Sequence, residues 1–321
     1  MSTQSEKKIK YIKKVKRPVV RPCPCAVGHI SCNYVNISHI LGCPYNCSYC
    51  FLHTFYGKDE IVVYDNEEDI LNQLSAYMKS AKEPLRIGTG QYSDSLALDK
   101  KVPFAQKLIE FFAGQDKHLL ELKTKSAEVD HLLNQNLNHN CKSIFAWSVN
   151  PEKIVKSDEE GSVPLAERIN AAKRCSAAGY PVAFHFDPII HYSGWEEDYK
   201  GVIDLIFSNI DPENIAWISL GALRSPPELK DIIKKRFFHS CITWEEMELG
   251  EDGKIRYFKP IRIEIFKRMH EIIRSYSRDV YVYLCMERIE VWNESGLNNM
   301  EKHPYAGFFK FFRKRCYNRK A

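Results

Sequence analysis

Three cysteines stand close together in Ser38-His-Ile-Leu-Gly-Cys43-Pro-Tyr-Asn-Cys47-Ser-Tyr-Cys50-Phe-Leu-His53, spaced C-x3-C-x2-C. Thiolates are the usual protein ligands of iron–sulfur clusters. Three of them can hold three irons of a cubane and leave the fourth iron open. An open iron can chelate the amino and carboxylate groups of S-adenosylmethionine. One electron passed into the sulfonium then breaks a C–S bond and yields a 5′-deoxyadenosyl radical. In such chemistry the cofactor supplies the reactivity, and the protein supplies position and shielding. The rival reading is a structural zinc site completed by His53 or Cys32. Its common C-x2-C pairs differ from the spacing here.

Other cysteines invite the same question. Cys23-Pro-Cys25-x6-Cys32 precedes the triad. It suits an auxiliary cluster or second metal, or three partly buried and inert thiols. Cys285, in Tyr283-Leu-Cys-Met-Glu287, falls on the last expected strand. Cys141, Cys175, Cys241 and Cys316 are scattered and read as core or surface thiols. Eleven cysteines is a high count for a reducing compartment, where clustered thiols point to metal or catalysis. No apolar run approaches the length that spans a bilayer, and the N-terminus has no apolar leader core. A cytoplasmic protein with no membrane partner is therefore expected.

The elements that must position these groups follow from the apolar pattern. Strands are expected at 34–41, 85–89, 118–125, 143–150, 181–187, 214–221 and 280–286. Helices are expected at 67–79, 104–113, 127–134, 165–178, 196–207, 227–237 and 261–275. Ile70, Leu74 and Met78 show the helical i, i+4, i+8 spacing. Strand–helix alternation predicts a parallel sheet with right-handed crossovers. Six or more such units predict an α/β fold, a partial (β/α)6-type TIM barrel, with its site at the C-terminal strand ends. His185 alternates with Phe184 and Phe186 and reads as a packed histidine.

Charge divides the chain. Residues 1–22 carry a net +7 and residues 302–321 another +7, leaving −9 for the body. The expected organisation is a flexible basic arm over 1–22, a barrel domain over 23–300 and a basic aromatic extension over 301–321. In the extension Phe308, Phe309, Phe311, Phe312 and Tyr317 interleave with Lys310, Arg313, Lys314 and Arg315. Basic ends fit nucleic acid, and the mixture fits base stacking plus phosphate contact. Solvated tails and an amphipathic helix packed on the domain are the plain alternatives.

Cys-x3-Cys-x-Tyr49-Cys is the signature of the radical S-adenosylmethionine superfamily. The chain further resembles the spore photoproduct lyase family from about Gly42 to about Arg236. The likeness lies in Gly42-Cys-Pro-Tyr-Asn-Cys-Ser-Tyr-Cys-Phe-Leu52, Ser93-Asp94, Thr124-Lys125 and Val129-Asp-His-Leu-Leu133. It continues in Ser148-Val-Asn150, Arg168-Ile-Asn-Ala-Ala-Lys173, Ala178-Gly-Tyr-Pro181 and Asp187-Pro-Ile-Ile-His-Tyr-Ser-Gly-Trp-Glu-Glu-Asp-Tyr199. The resemblance implies a partial β/α barrel that binds a [4Fe–4S] cluster through Cys43, Cys47 and Cys50. It implies cleavage of S-adenosylmethionine and action on a thymine photodimer in DNA, with an electron donor such as flavodoxin or ferredoxin. It places Tyr49 by the cofactor's adenine, and Gln91, Ser93, Lys125, Ser148 and Asn150 among the strand-end positions around the cofactor.

Three positions depart from the family. Gln91 stands where the lyase has the cysteine that donates a hydrogen atom, and Phe51 where it has a tyrosine. Asp187 replaces a small apolar residue. Tyr92, Tyr49 or Cys285 are the candidates to replace the missing relay. Asp187 is a candidate to bind a substrate amine, orient a ring N–H or act as a base, or else to pair with a nearby Lys or Arg. The expectation is a radical enzyme acting on a nucleic-acid lesion or base, with Tyr92, Cys285 and Asp187 as its catalytic candidates. The alternatives are a radical enzyme for an RNA base, peptide or small metabolite, and a non-catalytic iron–sulfur or zinc protein that binds nucleic acid.

Overall fold

The computed structural model describes residues 7–55, 60–134, 137–242, 244 and 247–297. One eight-stranded sheet dominates it, curled into an open half-barrel. Its strands are β1 (Val20–Pro22), β2 (Tyr34–Ile37), β3 (Arg86–Gly88), β4 (Leu119–Thr124), β5 (Ser143–Ser148), β6 (Val182–Ile189), β7 (Ile215–Ala222) and β8 (Val282–Leu284). They lie side by side in chain order. β1 runs antiparallel to β2, and every other neighbouring pair is parallel. The seven expected strands are β2 to β8.

The central strands are largely buried, β5 and β7 at every residue and β4 and β6 at most. Parallel strands covered on both faces need such unbroken apolar runs. The covering helices are α1 (Glu67–Ser80), α2 (Ala105–Ala113), α3 (Glu152–Asp158), α4 (Leu165–Ala177), α5 (Trp195–Asn209), α6 (Glu228–Arg236), α7 (Lys259–Tyr276) and α8 (Ile289–Glu294). In α1, Ile70, Leu74 and Met78 face inward, and the Asn66 side chain accepts from Asp69 N–H to cap the first turn. No helix among the described residues is long and apolar enough to cross a membrane.

Two expectations change. The helix at 127–134 is only a 3₁₀ turn at Asp130–Leu132. Ser126 N–H donates to Thr124 Oγ1 and Glu128 N–H to Ser126 Oγ, so side chains satisfy backbone groups that a helix would use. The described part of the basic arm is tied down. Lys8–Ile12 pairs in parallel with Glu60–Tyr64, and Val20–Pro22 is β1. Ile9 and Ile12 are half-buried while Lys8 and Lys10 point to solvent, the mixture of an edge strand. Residues 1–6 and the 301–321 extension lie outside the described residues.

Charge also holds the half-barrel interior. Arg86, on β3, lies 3.5 Å from Glu121 on β4 and donates to Tyr283 Oη at 2.8 Å. Its guanidinium lies between 5.1 and 5.3 Å from the ring centroids of Tyr34, Trp217 and Tyr283. Glu121 meets His185 Nε2 at 2.6 Å, so His185 is packed as expected. A Cβ on Gly88 would collide with the Glu121 carbonyl and the Tyr34 hydroxyl, which reserves that position for glycine.

Burial raises the Glu121 pKa, but Arg86 and His185 outweigh it and hold it at about 2. Removing one member of such a buried pair costs about 3–5 kcal/mol. Arg86→Leu should therefore lower the unfolding free energy, from urea titration followed by circular dichroism, by that amount; an unchanged value would contradict the pairing. Because the folded pKa is depressed, the Glu121 contribution is full above about pH 4.5. It is lost as pH falls through about 2. The stability gap between wild type and Glu121→Gln should accordingly narrow below pH 4.

Candidate active site

The cysteine loop leaves the C-terminal end of β2. Gly42 turns it at φ +98°, and its N–H donates to the Tyr92 carbonyl at 3.0 Å. Only glycine adopts that φ readily. Lys7 Nζ donates to the Cys43 carbonyl at 2.7 Å and to that of Tyr45 at 3.3 Å. Further on, Asn46–Cys47 pairs antiparallel with Glu159–Glu160. Ser48 N–H donates to the Asp158 carbonyl at 2.8 Å and its hydroxyl to the Asp158 carboxylate. Asp158 also accepts from Ser240 Oγ at 2.5 Å and Cys241 N–H at 3.2 Å, joining a third segment to the loop.

Cys47 is buried; Cys43 and Cys50 are partly exposed. Burial pushes all three thiols up, Cys47 to about 12, and Cys50 raises both Cys43 and Cys47 further. Thiols so placed ionise when a cation compensates them, which fits a metal-held set. Both proposed fourth ligands for zinc are engaged elsewhere. His53 Nε2 bonds the Cys47 carbonyl at 2.9 Å, and its Nδ1 faces Arg236 at 3.4 Å. Cys32 accepts from Arg86 at 3.1 Å inside the barrel. Among the described residues no group of three or more His, Cys, Asp or Glu is arranged to hold a single metal ion, at either cysteine group.

Beneath the loop lies a buried polar hub centred on Glu159. Tyr49 donates its hydroxyl to Glu159 Oε1, and Asn150 Nδ2 donates to the same oxygen at 2.9 Å. Arg168 lies 2.6 Å from Oε2, with both side chains fully buried. Tyr199 Oη donates to Asn150 Oδ1 at 2.7 Å, and Arg168 also donates to the Ser148 carbonyl at 3.0 Å. Lys125 Nζ sits 5.7 Å from the centre of the Tyr49 ring. Burial opposes the Lys125 charge, but Glu159 and Cys47 outweigh it and raise its pKa. Burial likewise opposes the Glu159 charge, and Lys125 and Arg168 pull its pKa below the ordinary carboxylate range.

The structure thus brings Tyr49, Lys125, Ser148 and Asn150 together around one carboxylate. Ser93 is buried at the end of β3, and its hydroxyl has no partner, an orphan that a bound polar ligand would satisfy. Asp94 locks this loop to β4 by accepting from Thr124 Oγ1 at 2.6 Å and Lys125 N–H at 2.7 Å. Tyr92 packs edge-on to Phe51, 6.1 Å between centroids. Gln91 reaches instead toward Cys23, 3.9 Å from Nε2 to Sγ. Asp187 and Cys285 form a second group around Arg224, which donates to them at 3.1 and 3.3 Å. Asp187 is therefore an ion-paired carboxylate. Burial would raise its pKa, but Arg224 holds it low. Gly221 makes room for this pair, since a Cβ there would lie 2.7 Å from Asp187 Oδ1.

Glu159, Asp158, Arg224 and Lys7 were not singled out by the sequence reading, and Arg168 only as part of a motif. Tyr49 and Glu159 are 110 positions apart, so no local spacing marks their contact.

The family model for spore photoproduct lyase matches residues 28–283. The chain belongs to the spore photoproduct lyase family. Spore photoproduct lyase of Bacillus subtilis (strain 168) is 39% identical over 165 residues, 51% of this chain and 48% of that protein. The match thus spans about half the length of that relative. Spore photoproduct lyase of Geobacillus sp. (strain Y412MC61) is 29% identical over 243 residues, 73% of this chain and 70% of that protein. A solved spore photoproduct lyase double mutant with bound AdoMet and dinucleoside spore photoproduct superposes with TM-score 0.74 at 26% identity. The likeness covers 86% of this chain and 82% of that one. A spore photoproduct lyase complexed with the same dinucleoside gives the same values.

If the Glu159 hub fixes the loop, Glu159→Ala should loosen it without touching a cysteine. Anaerobically reconstituted Glu159→Ala should hold less than half the wild-type iron and bleach several-fold faster with a chelator. Wild-type iron content and bleaching rate would show that the loop stands without the hub.

Proposed function

We propose that this chain is a radical S-adenosylmethionine enzyme of the spore photoproduct lyase kind, acting on a lesion in DNA. The observation that carries the reading is the C-x3-C-x2-C loop pinned at the end of β2 beside an orphaned serine hydroxyl. Family membership supports it, and so do relatives solved with AdoMet and with the lesion dinucleoside. Cys43, Cys47 and Cys50 would hold a [4Fe–4S] cluster. When bound, cluster and cofactor together supply one-electron cleavage of a C–S bond.

The chain's own residues do the rest. Tyr49, Lys125, Ser148 and Asn150 would line the cofactor's place, with Ser93 Oγ free to bond it. The Glu159 hub bonds Tyr49 and Asn150 before anything binds, so little reorganisation of these two is left for binding. Gln91, Tyr92, Asp187 and Cys285 face the substrate side in this reading. The Asp187–Arg224 pair is suited to orient a ring amide, one partner accepting an N–H and the other donating to a carbonyl.

A base inside a duplex is out of reach of such a site, so the lesion must be extruded. Lys7 and Arg236 line the pocket beside Cys43 and Cys50. Lys8, Lys10, Lys13 and Lys14 extend the positive charge outward. That arrangement supports phosphate contacts next to the cluster. The described cysteines form no disulfide with one another, which suits a reducing, cytoplasmic setting and an electron donor of the flavodoxin or ferredoxin class. Engagement of both candidate fourth ligands speaks against the zinc alternative.

Anaerobically reconstituted protein should hold about four irons per chain at this site. With dithionite and S-adenosylmethionine it should release 5′-deoxyadenosine, and with a spore-photoproduct dinucleotide it should release thymine dinucleotide. Lys125→Ala and Asn150→Ala should slow 5′-deoxyadenosine release about tenfold or more while keeping iron. Full iron in a Cys43→Ala/Cys47→Ala/Cys50→Ala triple variant would refute the cluster site. Cofactor cleavage with no repair would shift the reading to another substrate.

A further inference from the structure

A carbon–carbon bond broken by radical chemistry leaves an unpaired electron on the product, which must gain one hydrogen atom. Thiols give up a hydrogen atom more readily than any other side chain. Gln91, an amide, has none to give, but the sulfur of Cys23 lies 3.9 Å from its Nε2.

The local sequence explains why Cys23 does not stand alone. Cys23 N–H donates to the Tyr34 carbonyl at 2.7 Å, which anchors it to β2. Cys25 N–H donates back to the Cys23 carbonyl at 2.8 Å, a three-residue turn around Pro24. Proline's fixed φ suits the centre of such a turn. The turn folds Cys25 back on Cys23, and each thiol shifts the other's pKa, Cys23 up and Cys25 down. Ser31 and the positive charges of Arg224 and Lys254 also favour the Cys25 thiolate. Arg224 is the same guanidinium that holds Asp187 and Cys285. Both thiols are partly open to solvent.

We propose that Cys23 donates the hydrogen atom to the product radical and that Cys25 captures the sulfur radical left behind. This rests on the reading of the chain as a radical lyase. The Cys23 S–H bond breaks and a product C–H bond forms. The Cys23 thiyl then joins the Cys25 thiolate in a one-electron-reduced disulfide that carries one negative charge. An oxidised one-electron carrier of the ferredoxin or flavodoxin class takes that electron, leaving a Cys23–Cys25 disulfide. An external dithiol restores the pair. The charge states suit these roles: the neighbouring Cys23 thiol, Ser31 and the two cations bring Cys25 to about 6, while Cys25 and burial push Cys23 up and keep its proton.

Two measurements on the reconstituted holoenzyme test it. The first is the ratio of repaired dinucleotide to 5′-deoxyadenosine, with mass spectrometry of the cysteines after turnover. Cys23→Ala should cut the ratio at least tenfold and accumulate reductant-derived adducts, and wild type turned over without added dithiol should carry the Cys23–Cys25 disulfide. Cys141→Ala, at a thiol away from this group, should match wild type. A ratio preserved in Cys23→Ala overturns the donor assignment. The second needs no substrate: alkylation of Cys25 by iodoacetamide against pH. Its midpoint should lie near 6 in wild type and rise by at least one unit in Cys23→Ala. An ordinary midpoint near 8.5 in wild type overturns the dithiol pair. If wild type cleaves the cofactor but repairs nothing, the lesion reading fails, and the alkylation profile still decides whether the pair exists.

Discussion

The site depends on one buried carboxylate. Glu159 lies beneath the cysteine loop, directly paired in register with Cys47. A charged group so deeply placed is tolerable only when hydrogen bonds and a close opposite charge offset its burial. Tyr49, Asn150 and Arg168 meet those demands by contact, and Lys125 by field. Four separate segments are therefore obliged to converge: the cysteine loop, the ends of β4 and β5, and α4. The loop's position follows from electrostatic necessity more than from its own sequence, which is short and has a positive-φ glycine at its entrance.

The half-barrel uses charge in a second way at a second depth. Arg86, Glu121 and His185 fill the interior below the strand ends, with three aromatic rings around the guanidinium. These interior groups are paired with one another, whereas the Asp187–Arg224 pair lies elsewhere. That pair is less buried, at 21% and 14% side-chain exposure, so it is available to a substrate while the interior trio is not. Fixed charges under the site and accessible charges beside it separate support from recognition.

Much of this was legible in the sequence. Each of β2 to β8 appeared as an apolar run because parallel strands buried on both faces demand one. The cysteine loop announced itself because ligand spacing is local. Tyr49, Lys125, Ser148 and Asn150 could be named from motifs at strand ends, although the carboxylate that gathers them could not. Glu159 follows a short helix that is unremarkable in composition, and its partners are remote in sequence. The basic N-terminal segment misled for another reason. Its lysines dominate its composition, while Ile9 and Ile12 are the half-buried positions of the strand that pairs with Glu60–Tyr64. The 3₁₀ turn at Asp130–Leu132 was hidden because Ser and Thr side chains compete with the helix for backbone groups. Cys23 and Cys25 read as possible metal ligands by residue type, and only the placement of Gln91 beside them suggests hydrogen-atom transfer.

The central claim is that the three thiolates fixed by the Glu159 hub leave one iron open to S-adenosylmethionine. Low-temperature electron paramagnetic resonance of the reduced holoenzyme tests it most directly, recorded with and without cofactor carrying a ¹³C-labelled carboxylate. The account predicts a changed spectrum and a hyperfine coupling to the labelled carbon. An identical spectrum at saturating cofactor, with no coupling, would contradict it.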